Sequence, residues 1–288
     1  MKKIIFASKG WKREQKDCID RDLKSFHRDK LSKLTQQDIS GYSFEEMIIH
    51  YGFISHAATQ YVISNYVQTG SLSDAEYYLS LATKAKQISN MLVERNPRWV
   101  SKQAIPIQIE NITIAVLCNL ISDAISMMEI SESSLKFEQN RKQQRKVAME
   151  IKLYKSLLQD NTHEICQCIQ ELNSINYDPI ALNVFHAYME KEPILFIDAL
   201  ISHMREFRLT PYPEDINYFV LLMESLYQKH TSFELLNLAD APAEMLSLPE
   251  WNPLLFNTQI GLSLPTLDLT EILKQVDKNK VGPAFKQY

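Results

Sequence analysis

Two apolar stripes between Met47 and Leu92, parted by a single turn signal, constrain this chain more than any other feature. In the first stripe Met47, Tyr51, Ile54, Ala58 and Tyr61 recur at steps of three and four, the spacing that places side chains on one face of a helix. Ala75, Tyr78, Leu79, Ala82 and Ala85 repeat the pattern. Between the two, Gly70 suits a helix end, Ser73 with Glu76 reads as a capping box, and Leu72 with Tyr77 is placed for a hydrophobic staple. The spacing predicts a helical hairpin. Neither arm hides its stripe alone, so further helices are expected to cover it.

Only six glycines are spread over 288 residues, too little turn chemistry for a many-stranded protein, while Leu, Ile, Glu, Lys and Gln run at helical spacing. The expected fold is all-α: about ten helices in antiparallel pairs, a helical-repeat-like bundle forming one domain over residues 1–288. Cys18, Cys118, Cys166 and Cys168 are too few and too unevenly spaced for a disulfide framework, which points to a reducing compartment. After Met1-Lys2-Lys3 the apolar run Ile4 to Ala7 is too short for a signal-peptide core. The chain reads as cytoplasmic.

The overall charge of −4 conceals an asymmetry: residues 1–35 carry 11 Lys/Arg against 5 Asp/Glu, and the body is acidic. Because Glu14, Asp17, Asp20, Asp22 and Asp29 interrupt the basic charges, a solvated helix face is preferred to a nucleic-acid or phospholipid arm. Residues 1–35 are therefore read as a charged N-terminal helix. Cys18, Ile19, Leu23 and Phe26 form its apolar side.

Beyond the hairpin, Asn96-Pro97 closes the second arm, and a run from Pro106 to Met128 is apolar almost all round, predicting one buried helix. As a membrane span it is short of about 20 apolar residues and is interrupted by Asn119 and Asp123. Residues 131–146 are the most polar interior stretch, either the exposed start of a long helix or a linker. Val147, Ile151, Tyr154 and Leu158 resume helical spacing, followed by a turn at Gln159 to Thr162 and a short helix through Ile165, Ile169 and Leu172. Asp178-Pro179, Glu192-Pro193 and Pro213 start three more helices. Residues 240–288 read as a proline-broken, partly extended tail packed on the bundle. Within it a minor strand is expected near 259–264, Trp251 or Phe256 as anchors, and a last short helix through Leu269, Ile272, Leu273 and Val276.

Chemistry is hard to find. The chain has no phosphate loop, nucleophile elbow, dinucleotide fingerprint or metalloprotease pair. His163, Cys166 and Cys168 lack a second ligand pair, so small core residues are the better reading and no metal or cofactor is expected. His186 with Glu190, and His203 with Glu206, each set an imidazole and a carboxylate on one helix face, a spacing helical surfaces often produce without catalysis. No enzyme function is expected.

Two stretches carry a resemblance. His56-Ala57-Ala58 and Tyr66 through Ala82, and then Tyr188 through Glu192, Phe196 through His203 and Pro213 through Gln228, together resemble the immunity 49 family of bacterial polymorphic toxin systems over roughly residues 45–265. The resemblance implies a cytoplasmic antitoxin that binds a toxin C-terminal domain delivered by neighbouring cells and blocks it, with no catalytic residue to carry over. Tetratricopeptide arrays share such hairpins, so a helical-repeat scaffold for an endogenous partner is the alternative, although no period of about 34 residues runs through the chain. Neither a nucleic acid nor a membrane is expected as a partner. For toxin contact the acidic residues Glu214, Asp215, Glu224, Asp240, Glu244 and Glu250 stand out, because they fall near expected helix ends and in the irregular tail, where loops meet a partner.

Overall fold

The structure, a computed structural model, describes residues 23–69, 75–96, 105–207, 218–231, 269–280 and 282. Among these residues the fold is all-α, with eleven helices packed in pairs and no strand. In chain order they are α1 Leu23–Gln36, α2 Phe44–Thr69, α3 Ala75–Arg95, α4 Ile109–Leu117, α5 Ile121–Ser134, α6 Arg141–Leu158, α7 Thr162–Ser174, α8 Pro179–Glu190, α9 Pro193–Phe207, α10 Tyr218–Thr231 and α11 Leu269–Gln275. The expected turn at residues 70–74, the strand near 259–264, and Trp251 and Phe256 lie outside the described residues. Contacts divide the described residues into two compact units, one holding residues 106–121, 140–207 and 218–231, the other 23–69, 75–96, 105, 122–139, 269–280 and 282.

The second of these is the hairpin unit. Met47, Tyr51, Ile54 and Ala58 of α2 and Leu81, Ala82, Ala85, Ile88 and Leu92 of α3 are buried in one core. As expected, other helices cover it: Leu31 from α1 and Ile272 and Val276 at α11 complete the same cluster. The start of α2 is fixed by a reciprocal capping box, in which the Ser43 N–H donates to Glu46 Oε2 at 2.9 Å and the Glu46 N–H to Ser43 Oγ at 3.2 Å. The segment after α11 is fastened to this same corner. Gly41 N–H donates to the Gln275 carbonyl at 3.2 Å, Asp277 N–H to the Tyr42 carbonyl at 2.8 Å, and Lys280 pairs with Glu46 at 2.8 Å. On α5, Asp123 pairs with Lys84 of α3.

In the other unit, links of two to four residues join α6, α7, α8 and α9, so each helix returns on the one before it. Aromatic rings carry the core across these helices: Tyr154 meets Phe185, Phe185 meets Phe219, and Phe196 stacks on Tyr227 with centroids 4.1 Å apart. Thr113 Oγ1 donates to the Tyr218 carbonyl at 3.0 Å and pins α4 to the start of α10. The Asp178 carboxylate accepts from Ile180 N–H, the predicted cap ahead of Pro179.

One expectation is corrected. The apolar run from Pro106 to Met128 is two helices, because Asn119 takes the left-handed conformation, φ 55°. Asn119 N–H donates to the Val116 carbonyl and Leu120 N–H to the Ala115 carbonyl, the pair of bonds that defines a Schellman stop. Apolar periodicity continues through such a stop and therefore hides it. The break assigns α4 to one unit and nearly all of α5 to the other. The polar stretch after it divides into the end of α5, a 3₁₀ turn at Leu135–Phe137, and α6, whose N-cap Asn140 accepts from Lys142 and Gln143 N–H.

Candidate interaction surface

The acidic residues picked out from the sequence do not come together as a described surface. Glu214, Asp215, Asp240, Glu244 and Glu250 lie outside the described residues. Glu224 falls in the middle of α10, only 5% exposed, where its Oε1 accepts from Gln228 at 3.3 Å. It belongs to the interior of its helix pair and not to a loop, which corrects its placement near a helix end.

The polar pairs considered for chemistry are dispersed as well. His186 and Glu190 are both exposed on α8. His203 on α9 lies with its ring 4.6 Å from that of Phe219; burial lowers its pKa, and the nearby Asp178 carboxylate opposes the shift. Asp178 is itself occupied in capping α8. Cys168 is buried, which raises its thiol pKa, while Cys166, two residues earlier, is exposed, and His163 meets Gln167 at 2.9 Å. Among the described residues no group of three or more His, Cys, Asp or Glu is placed to hold a metal ion. Nor is any described helix long and apolar enough to cross a membrane.

A different surface emerges on the hairpin unit, along α1 and α2. Large apolar side chains normally leave water, yet Phe26 is 57%, Phe53 49% and Ile49 37% exposed. Ile49, Phe53 and His56 follow steps of four and three on α2, one stripe, turned away from the buried stripe of Met47, Tyr51, Ile54 and Ala58. The facing residues on α1 are set in antiparallel register. Lys30 lies over the Phe53 ring, 5.3 Å from its centroid, and one turn back His56 lies close enough to His27 to oppose its protonation. Phe26 packs edge-on against His27 with centroids 5.2 Å apart. Burial is the main reason that the imidazole pKa values of His27 and His56 are lowered, with Lys30 adding to it.

The rim of this surface is basic. Lys33 is exposed on α1 one turn beyond Lys30 and on the side of Phe26, while Arg28, two positions from both Phe26 and Lys30, is exposed on the other side, 3.6 Å from Asp29, the one carboxylate of α1. Beyond Glu46, α2 contains no acidic residue at all. An apolar centre flanked by cations is an arrangement that can bind a partner surface.

Sequence reading missed these residues because it placed Phe26 on the covered side of the first helix. In the structure Leu31 takes that role and Phe26 faces outward. A signal was present: Ile49 and Phe53 are apolar and lie off the core stripe of α2. In comparisons with protein-family models, characterised proteins and solved structures, the chain matches none of them.

Proposed function

We propose that this chain is an immunity protein, acting in the cytoplasm, which neutralises one specific toxin domain by stoichiometric binding and has no catalytic activity of its own. The observation that carries the reading on the molecule is the exposure of Ile49 and Phe53 on α2 and of Phe26 on the neighbouring α1. Buried aromatic anchors supply most of the energy in protein interfaces, and a stable one of about 1,600 Å² can be built on helix faces without a fixed motif. The two family-like helical pairs in the sequence give that partner its class.

The test is to read the gene beside this one and co-express the pair. Protection of cells from a toxin-like C-terminal domain encoded next door, together with a one-to-one complex on size exclusion, is the expected result. Cells that die as fast with this protein as without it would overturn the reading. The alternative, a scaffold for an endogenous complex, draws on the short-linked stack α6 to α9. It predicts a host assembly in a pull-down and no protection.

A further inference from the structure

We propose that the α1–α2 face docks a partner surface that is apolar at its centre and acidic at its rim. The inference deepens the binding function above and rests on it for the identity of the partner, but not for the chemistry of the contact. Phe26, Ile49 and Phe53 need apolar neighbours to leave water, so the centre of the partner must be apolar. Lys30 and Lys33 flank that centre, and the stretch of α2 that contributes Ile49, Phe53 and His56 carries no carboxylate. Desolvating these cations without anions opposite them is costly, whereas carboxylates at the rim both speed encounter and fix register.

The same charge argument disfavours the other occupants. A second copy meeting this face through a two-fold axis would bring the same basic patch, with Lys30 and Lys33, against itself and offer no carboxylate to either lysine. The preceding residues 1–22 carry seven Lys/Arg against four Asp/Glu and match the face in sign rather than complementing it. A nucleic-acid-cleaving cleft must be basic to hold phosphates, so a toxin gripped here would be held away from such a cleft.

The probes are two synthetic amphipathic helical peptides, one with Leu on one face and Glu on the other, the second with Lys in place of Glu. They are titrated by fluorescence anisotropy into the full chain at low salt. The Leu/Glu peptide is expected to bind about tenfold or more tightly than the Leu/Lys peptide, and the preference to shrink as salt rises. Phe53→Ala, at an exposed position, and Lys30→Glu, at a half-buried one, should each weaken it several-fold while the helical circular dichroism spectrum stays unchanged. Equal binding of the two peptides, preference for Leu/Lys, or indifference to both substitutions would overturn the proposal. So would a dimer in sedimentation equilibrium that Phe53→Asp abolishes, since a second copy would then be the occupant. The two readings fail separately. Protection that survives Phe53→Ala with Lys30→Glu removes this face and leaves immunity standing, whereas loss of immunity with the peptide results intact leaves the face to an acidic endogenous partner.

Discussion

Gly282 is a glycine because of what lies beside it. A Cβ there would overlap the Ser43 hydroxyl and the Cβ of Glu45, at the corner where the capping box opens α2. Nothing in the local sequence predicts that neighbour, which lies more than 200 residues away. Gly282→Ala is expected to destabilise the protein by about 1–3 kcal/mol, as overpacking does, because the corner must open to admit a methyl group. The check is a urea titration. A variant as stable as its parent would mean that Gly282 does not approach Ser43. Phe26 and Glu224 teach the same lesson at single positions: a residue type states a preference for burial, and only its neighbours decide the outcome.

At the level of helices, the shortage of glycine is met by an unusual set of stops. Asn119, Asp160, Asn176 and Lys191, none of them glycine, take positive φ just past the ends of α4, α6, α7 and α8. After α6 and α7 the Schellman bonds recur, from Asn161 N–H to the Ser156 carbonyl and from Tyr177 N–H to the Leu172 carbonyl. Asn and Asp tolerate this conformation at modest cost, but lysine does not ordinarily choose it. Lys191 is held there from outside, by an ion pair to Asp160 at 2.8 Å and by the ring of Tyr188, whose centroid lies 4.4 Å from its Nζ. At Asn119, Ala is expected to cost about 1 kcal/mol and Gly to be neutral or slightly stabilising, because only the side chain opposes the left-handed turn. Chemical denaturation followed by circular dichroism reads both. If Ala equals Gly, the stop does not depend on the left-handed residue, and α4 and α5 are free to fuse.

Across the whole molecule, burial lowers the imidazole pKa of five of the seven histidines: His27, His50, His56, His203 and His230. For His230 and His203 the carboxylates of Asp160 and Asp178 oppose the shift without reversing it. The sign follows from linkage. As pH falls through the ordinary value of 6.5, the unfolded chain takes up these protons first, so stability is full above that value and is lost as pH drops towards the lower folded values. The melting temperature is therefore expected to fall between about pH 7.5 and 5.5, a window above the titration of most carboxylates. His50→Phe, at a buried site between Tyr42 and Tyr51, should reduce that slope. A melting temperature that stays level or rises on acidification would show that the histidines are not held neutral by the fold.

The all-α class, the paired helices, the covered hairpin and the cap at Asp178 were all legible in the sequence, because each depends on spacing or on residues a few positions apart. The last short helix was legible for the same reason, and Ile272 and Val276 do enter the core of the hairpin unit. What the sequence left open depends on partners distant along the chain. The stop at Asn119 is invisible to apolar periodicity, since a left-handed residue changes direction without changing polarity. The exposed stripe of Phe26, Ile49 and Phe53 required knowing which sides of α1 and α2 the core had already taken. Tertiary packing alone decides that, because on a helix with apolar residues on several sides burial goes to the stripe that a neighbour covers first.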